Sequence, residues 1–111
     1  MKRSEELSKE LERIVKILID EYKAEKIILF GSFARNEEKE WADIDLIIVK
    51  DTGKPFYKRL EEVVEITKPE MAADIIVYTP EEMKSVEKSI FYIEEVEKKG
   101  KVIYERGRKM V

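Results

Sequence analysis

Leu7, Leu11, Ile14, Val15, Leu18 and Tyr22 recur at intervals of three and four, which predicts an amphipathic helix over residues 4–23 with Ser4, Glu5 and Glu6 at its start. The period then changes. "KIILF" (26–30) reads as a short buried strand that stops at Gly31-Ser32, and "SFAR" reads as the first turn of a short helix. "ADIDLIIVK" (42–50) is a second strand, and Thr52-Gly53 is a turn. "PFYKRLEEVVEITK" (55–68) is amphipathic, with Pro55 suited to a first helical position and Phe56, Leu60, Val63 and Val64 on one face. "ADIIVY" (73–78) is a third strand. "TPEE" (79–82) is a capping box, with Thr79 as cap and Glu82 three residues on. Met83, Val86, Ile90 and Ile93 continue that helix, with room for a break, up to Lys98-Lys99-Gly100. "KVIYE" (101–105) is a fourth strand, followed by a basic tail at 106–111 that is expected to be loose.

This alternation suggests a doubly wound parallel sheet, but the placement of the acids argues against one. Parallel sheets gather their ligands at the carboxyl ends of the strands. Here Asp43 and Asp45 open the second strand and Asp74 opens the third, whereas Gly31-Ser32 follows the end of the first. If the turn and the acids share one site, the second strand runs antiparallel to the first. The third then runs parallel to the second, with helix 55–68 as the crossover that a parallel pair requires. The expected fold is α/β (α+β), a mixed β-sheet of about four strands flanked by helices. The 111 residues suit one domain, 1–111.

Composition narrows the chemistry. Charged residues make up 42% and apolar residues 43%, with a net charge of -3 and a pI near 5.3. No basic excess exists to drive strong nucleic-acid binding. The chain has no cysteine and no histidine, which excludes Cys/His zinc sites and Ser-His or Cys-His catalysis. The charged start "MKRSEELSKELERIV" is not a signal peptide, and no apolar run approaches the ~20 residues of a membrane helix. The chain reads as cytoplasmic, with a Lys and Glu density like that of thermophile proteins.

Within "LFGSFARNEEKEWADIDLIIVK" (29–50) the candidate chemistry is concentrated. Side chains alternate along a strand, so Asp43 and Asp45 share one face while Ile44, Leu46 and Ile48 point into the core. Asp74 on the adjacent strand joins them. Three carboxylates at one point repel, and a hard divalent cation such as Mg²⁺ or Mn²⁺ is the natural compensation. Gly31 lets backbone approach a phosphate, Ser32 adds a hydroxyl donor and Arg35 a positive charge. These parts suit metal-assisted nucleotidyl transfer, in which two ions about 4 Å apart act on the attacking and leaving oxygens.

The combination "GSFAR" (31–35), a gap, then "DIDL" (43–46), with Asp74 in "ADIIVY", resembles the nucleotidyltransferase superfamily that includes DNA polymerase beta. More narrowly it is similar to the minimal nucleotidyltransferases of antitoxin type, over nearly the whole chain. The resemblance implies that Gly31 and Ser32 hold the nucleoside triphosphate, that Asp43, Asp45 and Asp74 ligate Mg²⁺, and that Asp74 helps to activate the acceptor hydroxyl. It implies transfer of AMP from ATP to a partner protein, a helical HEPN-type toxin. Two positions depart from the common pattern: Asn36 stands where many relatives carry glycine, and Ala42 where many carry serine or threonine. Trp41 beside Ala42 is a base-stacking platform or, more commonly, a hydrophobic plug. Larger relatives hold the acceptor in a second helical domain, so here a partner protein or a homodimer would complete the cleft. The alternatives are a silent binding module that neutralises its partner by contact, modification of a small molecule, and a receiver-like phosphoacceptor. The last would place its acids after strands rather than before them.

Overall fold

The computed structural model describes residues 3–35 and 43–107. Asn36, Trp41, Ala42 and tail residues 108–111 lie outside the described residues. The elements follow the expected order: α1 (Arg3–Asp20), β1 (Lys26–Phe30), α2 (Gly31–Ala34), β2 (Ile44–Val49), α3 (Phe56–Thr67), β3 (Ala73–Tyr78), α4 (Pro80–Val86), a π-helical turn at Tyr92–Glu97, and β4 (Lys101–Glu105). The strands lie in the order β3-β2-β1-β4. β1 is antiparallel to β2, β2 is parallel to β3, and β4 is antiparallel to β1 on its other side. The sheet is therefore mixed, as the positions of the acids required.

Each face of the sheet carries a layer. Ile27, Leu29, Ile44, Leu46, Ile48, Ile75 and Val77 meet Leu7, Ile14 and Leu18 of α1 and Val63 of α3. Ile28, Phe30, Ile47 and Val49, alternating with the first set, meet Met83 of α4 and Tyr92 and Val96 of the π turn. Both faces of β1 and β2 are thus covered, which is why those strands read as continuous apolar runs. α1 ends earlier than its apolar period does, because Lys23 turns left-handed (φ 62°) and the Ala24 N–H returns to the Leu18 carbonyl at 2.9 Å. Tyr22 stays buried beyond the helix end, with the Lys50 ammonium 3.8 Å above its ring.

The apolar residues grouped on one face of α3 divide between two environments. Val63 is buried, but Phe56, Leu60 and Val64 are exposed, and the inward stripe is Arg59, Val63 and Thr67. Arg59 explains the rotation. Its guanidinium donates to the Lys54 and Val77 carbonyls at 2.8 and 3.1 Å and to Glu82 Oε1 at 2.7 Å, tying α3 to β3 and α4. Glu82 is also the return arm of the Thr79 capping box, and the guanidinium holds its carboxyl below the usual range. The buried guanidinium must keep its partners, because breaking such a set leaves an uncompensated buried charge at a cost of several kcal/mol. The break allowed for in the helix after Thr79 is present, and it exposes Ile90. Ile90 is 81% exposed, because the helix breaks after Val86 and the turn at 87–89 resets its phase.

A second charged staple positions the loop before β3. Buried Glu10 of α1 accepts from Arg13 Nε at 2.8 Å and from the Glu70 N–H, and Arg13 donates to the Thr67 and Lys68 carbonyls at 2.7 and 3.2 Å. These bonds satisfy carbonyls at the carboxyl end of α3 that would otherwise lack partners. Glu10→Ala is expected to lower stability by about 2 kcal/mol in urea unfolding, since it strands Arg13 and frees the 67–70 segment. In the Glu10→Ala/Arg13→Ala double variant the loss should be well short of the sum of the singles.

Candidate active site

β1 ends at Phe30, and the chain turns at once into α2. Phe30 lies opposite Asp45 on the antiparallel side, and Asp45 lies beside Asp74 on the parallel side. Three strands therefore bring the glycine turn, Asp45 and Asp74 to one edge of the sheet. Asp43, two residues before Asp45 and partly exposed, adds its charge there. Asp45 points to the face opposite Ile44 and Leu46, as strand alternation requires.

Gly31 is required twice over. Its φ is +80°, a left-handed conformation that side chains rarely adopt, and a Cβ would fall 2.1 Å from Asp45 Oδ2. The bare backbone of the turn thus lies directly against the carboxylate.

Asp45 is half-buried, and its pKa is pushed up to about 6. Burial is the main cause. The charge of Asp74, a hydrogen bond with the Asp74 carboxyl and the charge of Asp43 act in the same direction, and Arg35 opposes them. A hydrogen bond between two carboxyls needs a proton on one of them. Oxygen donors alone, two of them in contact around a shared proton, suit a hard divalent cation in that proton's place. Among the described residues, no three acids converge closely enough to enclose an ion by themselves.

Ser32 lies partly exposed in the single turn of α2, and Arg35 caps that turn. The Arg35 guanidinium meets Glu95 Oε2 of the π turn at 3.4 Å. Phe91, just before that turn, sets its ring edge-on to Phe30 at 5.9 Å. Glu95 and Phe91 had no signal in the sequence. They lie some sixty residues from the motif, and the change of helical phase before them hides which side they face.

The edge assembled here, a glycine turn against paired aspartates on a mixed sheet, is the arrangement of a nucleotidyltransferase. Residues 12–109 match the family described as polymerase beta, nucleotidyltransferase, and the chain belongs to that family. Two proteins of Methanocaldococcus jannaschii are similar over their whole length and 84% of this chain: "Putative protein adenylyltransferase MJ1379" at 33% identity over 100 residues, and "Putative protein adenylyltransferase MJ1217" at 32% over 102. A crystal structure of a nucleotidyltransferase from Sulfolobus solfataricus, itself titled putative, shares the fold. Its TM-score is 0.68 at 21% identity, covering 97% of this chain and 88% of that one.

Two outcomes are expected of this geometry. Gly31→Ala should cost about 2–4 kcal/mol in urea unfolding, and Asp45→Ala in the same chain should recover part of the loss by removing the overlapped oxygens. The second concerns pH. The raised pKa means that folded Asp45 holds its proton more tightly than unfolded Asp45, so stability is full below about pH 4 and declines as pH rises through about 6. In metal-free buffer Asp45→Asn should therefore be more stable than the parent by about 2 kcal/mol at pH 8, partial exposure being allowed for, with the difference vanishing near pH 4.

Proposed function

We propose that the protein transfers AMP from ATP to a hydroxyl of a partner protein with the aid of Mg²⁺. The single observation that carries this reading is the contact of Gly31 with Asp45, which sets the bare backbone of the turn directly against the acids. In this reading Asp43, Asp45 and Asp74 hold the metal. Bound there, divalent ions would lower the pKa of the attacking hydroxyl and neutralise charge on the leaving oxygen. Gly31 lets the turn lie close to the triphosphate, and the Ser32 hydroxyl donates to it. Arg35 supplies positive charge, held in place by Glu95. Asp74, the more exposed of the strand-paired acids, faces the acceptor and helps to take its proton. One P–O bond forms to the acceptor oxygen as the bond to pyrophosphate breaks, and pyrophosphate departs with the negative charge.

A protein acceptor is supported by two observations. The relatives above carry the name protein adenylyltransferase. Ile90 and Phe91, 81% and 50% exposed, form an apolar lip next to Phe30 and so beside Asp45, a surface better suited to a polypeptide than to a small polar acceptor. The family resemblance of the motif points to a helical HEPN-type partner and an antitoxin role in the cytoplasm.

The test is transfer of labelled AMP from ATP to a co-expressed partner, with and without Mg²⁺. Asp45→Asn should reduce turnover by about a hundredfold or more while partner binding persists. Unchanged transfer in that variant would remove Asp45 from the site. Partner neutralisation without any transfer, in the parent chain and in the variant alike, would favour the silent binding module.

A further inference from the structure

An acidic edge that receives a triphosphate needs cations on the side of the glycine turn, where charge gathers on the departing pyrophosphate. Arg35 is one, and its charge is felt at Asp45. Its guanidinium meets Glu95 Oε2 at 3.4 Å. The other oxygen of the same carboxylate, Oε1, meets Lys99 Nζ at 3.6 Å. A single carboxylate thus spans two cations, and Lys99 closes a row that runs Asp45, Arg35, Glu95, Lys99.

The backbone fixes the far end of this row. Lys101 of β4 pairs with Leu29 of β1 in the antiparallel sense. Two residues further toward the aspartate end, β1 has reached Gly31, and the segment before β4 has reached Lys99. Gly100 between Lys99 and Lys101 is clamped. Its N–H donates to the Val96 carbonyl at 2.7 Å, and a Cβ there would fall 2.9 Å from the Leu29 carbonyl oxygen. The residues that carry Lys99 therefore lie against the strand that delivers Gly31. Folding stability does not account for the placement of Lys99. Its pair with Glu95 is one helical turn long and exposed at both ends, 47% and 40%, a kind of contact that adds little. The adjacent Lys98 turns instead to Glu94, at 3.1 Å.

We propose that Lys99 is the second cation of the triphosphate site and binds, beside Arg35, the two phosphates that leave as pyrophosphate. The proposal deepens the nucleotidyl-transfer reading and rests on it. Glu95 holds the ammonium beside Arg35, and a flexible stem lets it reach a phosphate oxygen from there. The planar guanidinium of Arg35 keeps its fixed orientation, while the ammonium acts as a mobile point charge. Lys99 touches the leaving group alone. It contributes to binding of ATP and of pyrophosphate, and not to binding of AMP.

Calorimetric titration of the full chain with ATP, pyrophosphate and AMP, each in the presence of Mg²⁺, tests this assignment. Lys99→Met should weaken ATP and pyrophosphate by about tenfold and leave AMP as it is in the parent chain. Lys99→Arg should restore most of the loss. Lys98→Met removes the same charge one residue away and should change none of the three affinities, which separates a contact from a general loss of positive charge. Parent-like binding of ATP and pyrophosphate by Lys99→Met would overturn the proposal and leave the nucleotidyl-transfer reading standing. Equal losses in Lys98→Met and Lys99→Met, or a loss that extends to AMP, would overturn it as well. A parent chain that binds neither ATP nor pyrophosphate with Mg²⁺ would remove the reading and the proposal together.

Discussion

Between Gly31 and Asp45 there is room for a hydrogen atom and for nothing larger, since a Cβ would lie 2.1 Å from the carboxylate oxygen. That closeness exists only because β1 runs antiparallel to β2, so that the end of one strand meets the beginning of the other. The parallel pairing of β2 with β3 brings the second acid alongside. From this follow the raised pKa of Asp45, the contact between carboxyls and the chemistry that such a cluster invites. The edge is a place where the fold accepts instability. Crowded acids beside a left-handed glycine weaken the metal-free protein, and the binding of cation and nucleotide would return what is lost.

The rest of the molecule holds that edge against its own repulsion. Fully buried Ile44, Leu46 and Ile48 anchor β2 on one side, and Ile47 and Val49 anchor it on the other. The loop that delivers Asp74 is fastened from α1 by Glu10 and Arg13, and the far end of β3 is fastened from α3 by Arg59. These bonds are charge-assisted and directional, and they engage backbone carbonyls. They fix the register of the connecting segments more closely than apolar contact can. The π turn contributes from the other face, setting Glu95 against Arg35 and Phe91 against Phe30.

Two apolar surfaces are left over, and they lie on different parts of the molecule. Ile90 and Phe91 border the aspartate edge, whereas the exposed Phe56, Leu60 and Val64 of α3 lie on the helical layer over the opposite face of the sheet.

Much of this architecture was legible along the chain. Apolar period placed the helices and strands to within a few residues, and the capping box at Thr79 forms as its spacing implied. The mixed sheet was legible because chemistry constrained topology: a glycine turn after one strand and acids before two others can meet only if the first strand is reversed. The way each face turns was not legible. In α3 periodicity grouped Phe56, Leu60, Val63 and Val64 on one face but did not show that only Val63 would be buried, because the rotation depends on Arg59 reaching Val77 and Glu82. The exposure of Ile90 and the pairing of Arg35 with Glu95 likewise follow from a helix break and a π turn whose phase no local pattern sets. Local sequence determines which residues share a face, since backbone geometry alone sets that. Which face is buried, and which distant charges meet, is decided by partners that only the assembled sheet brings within reach.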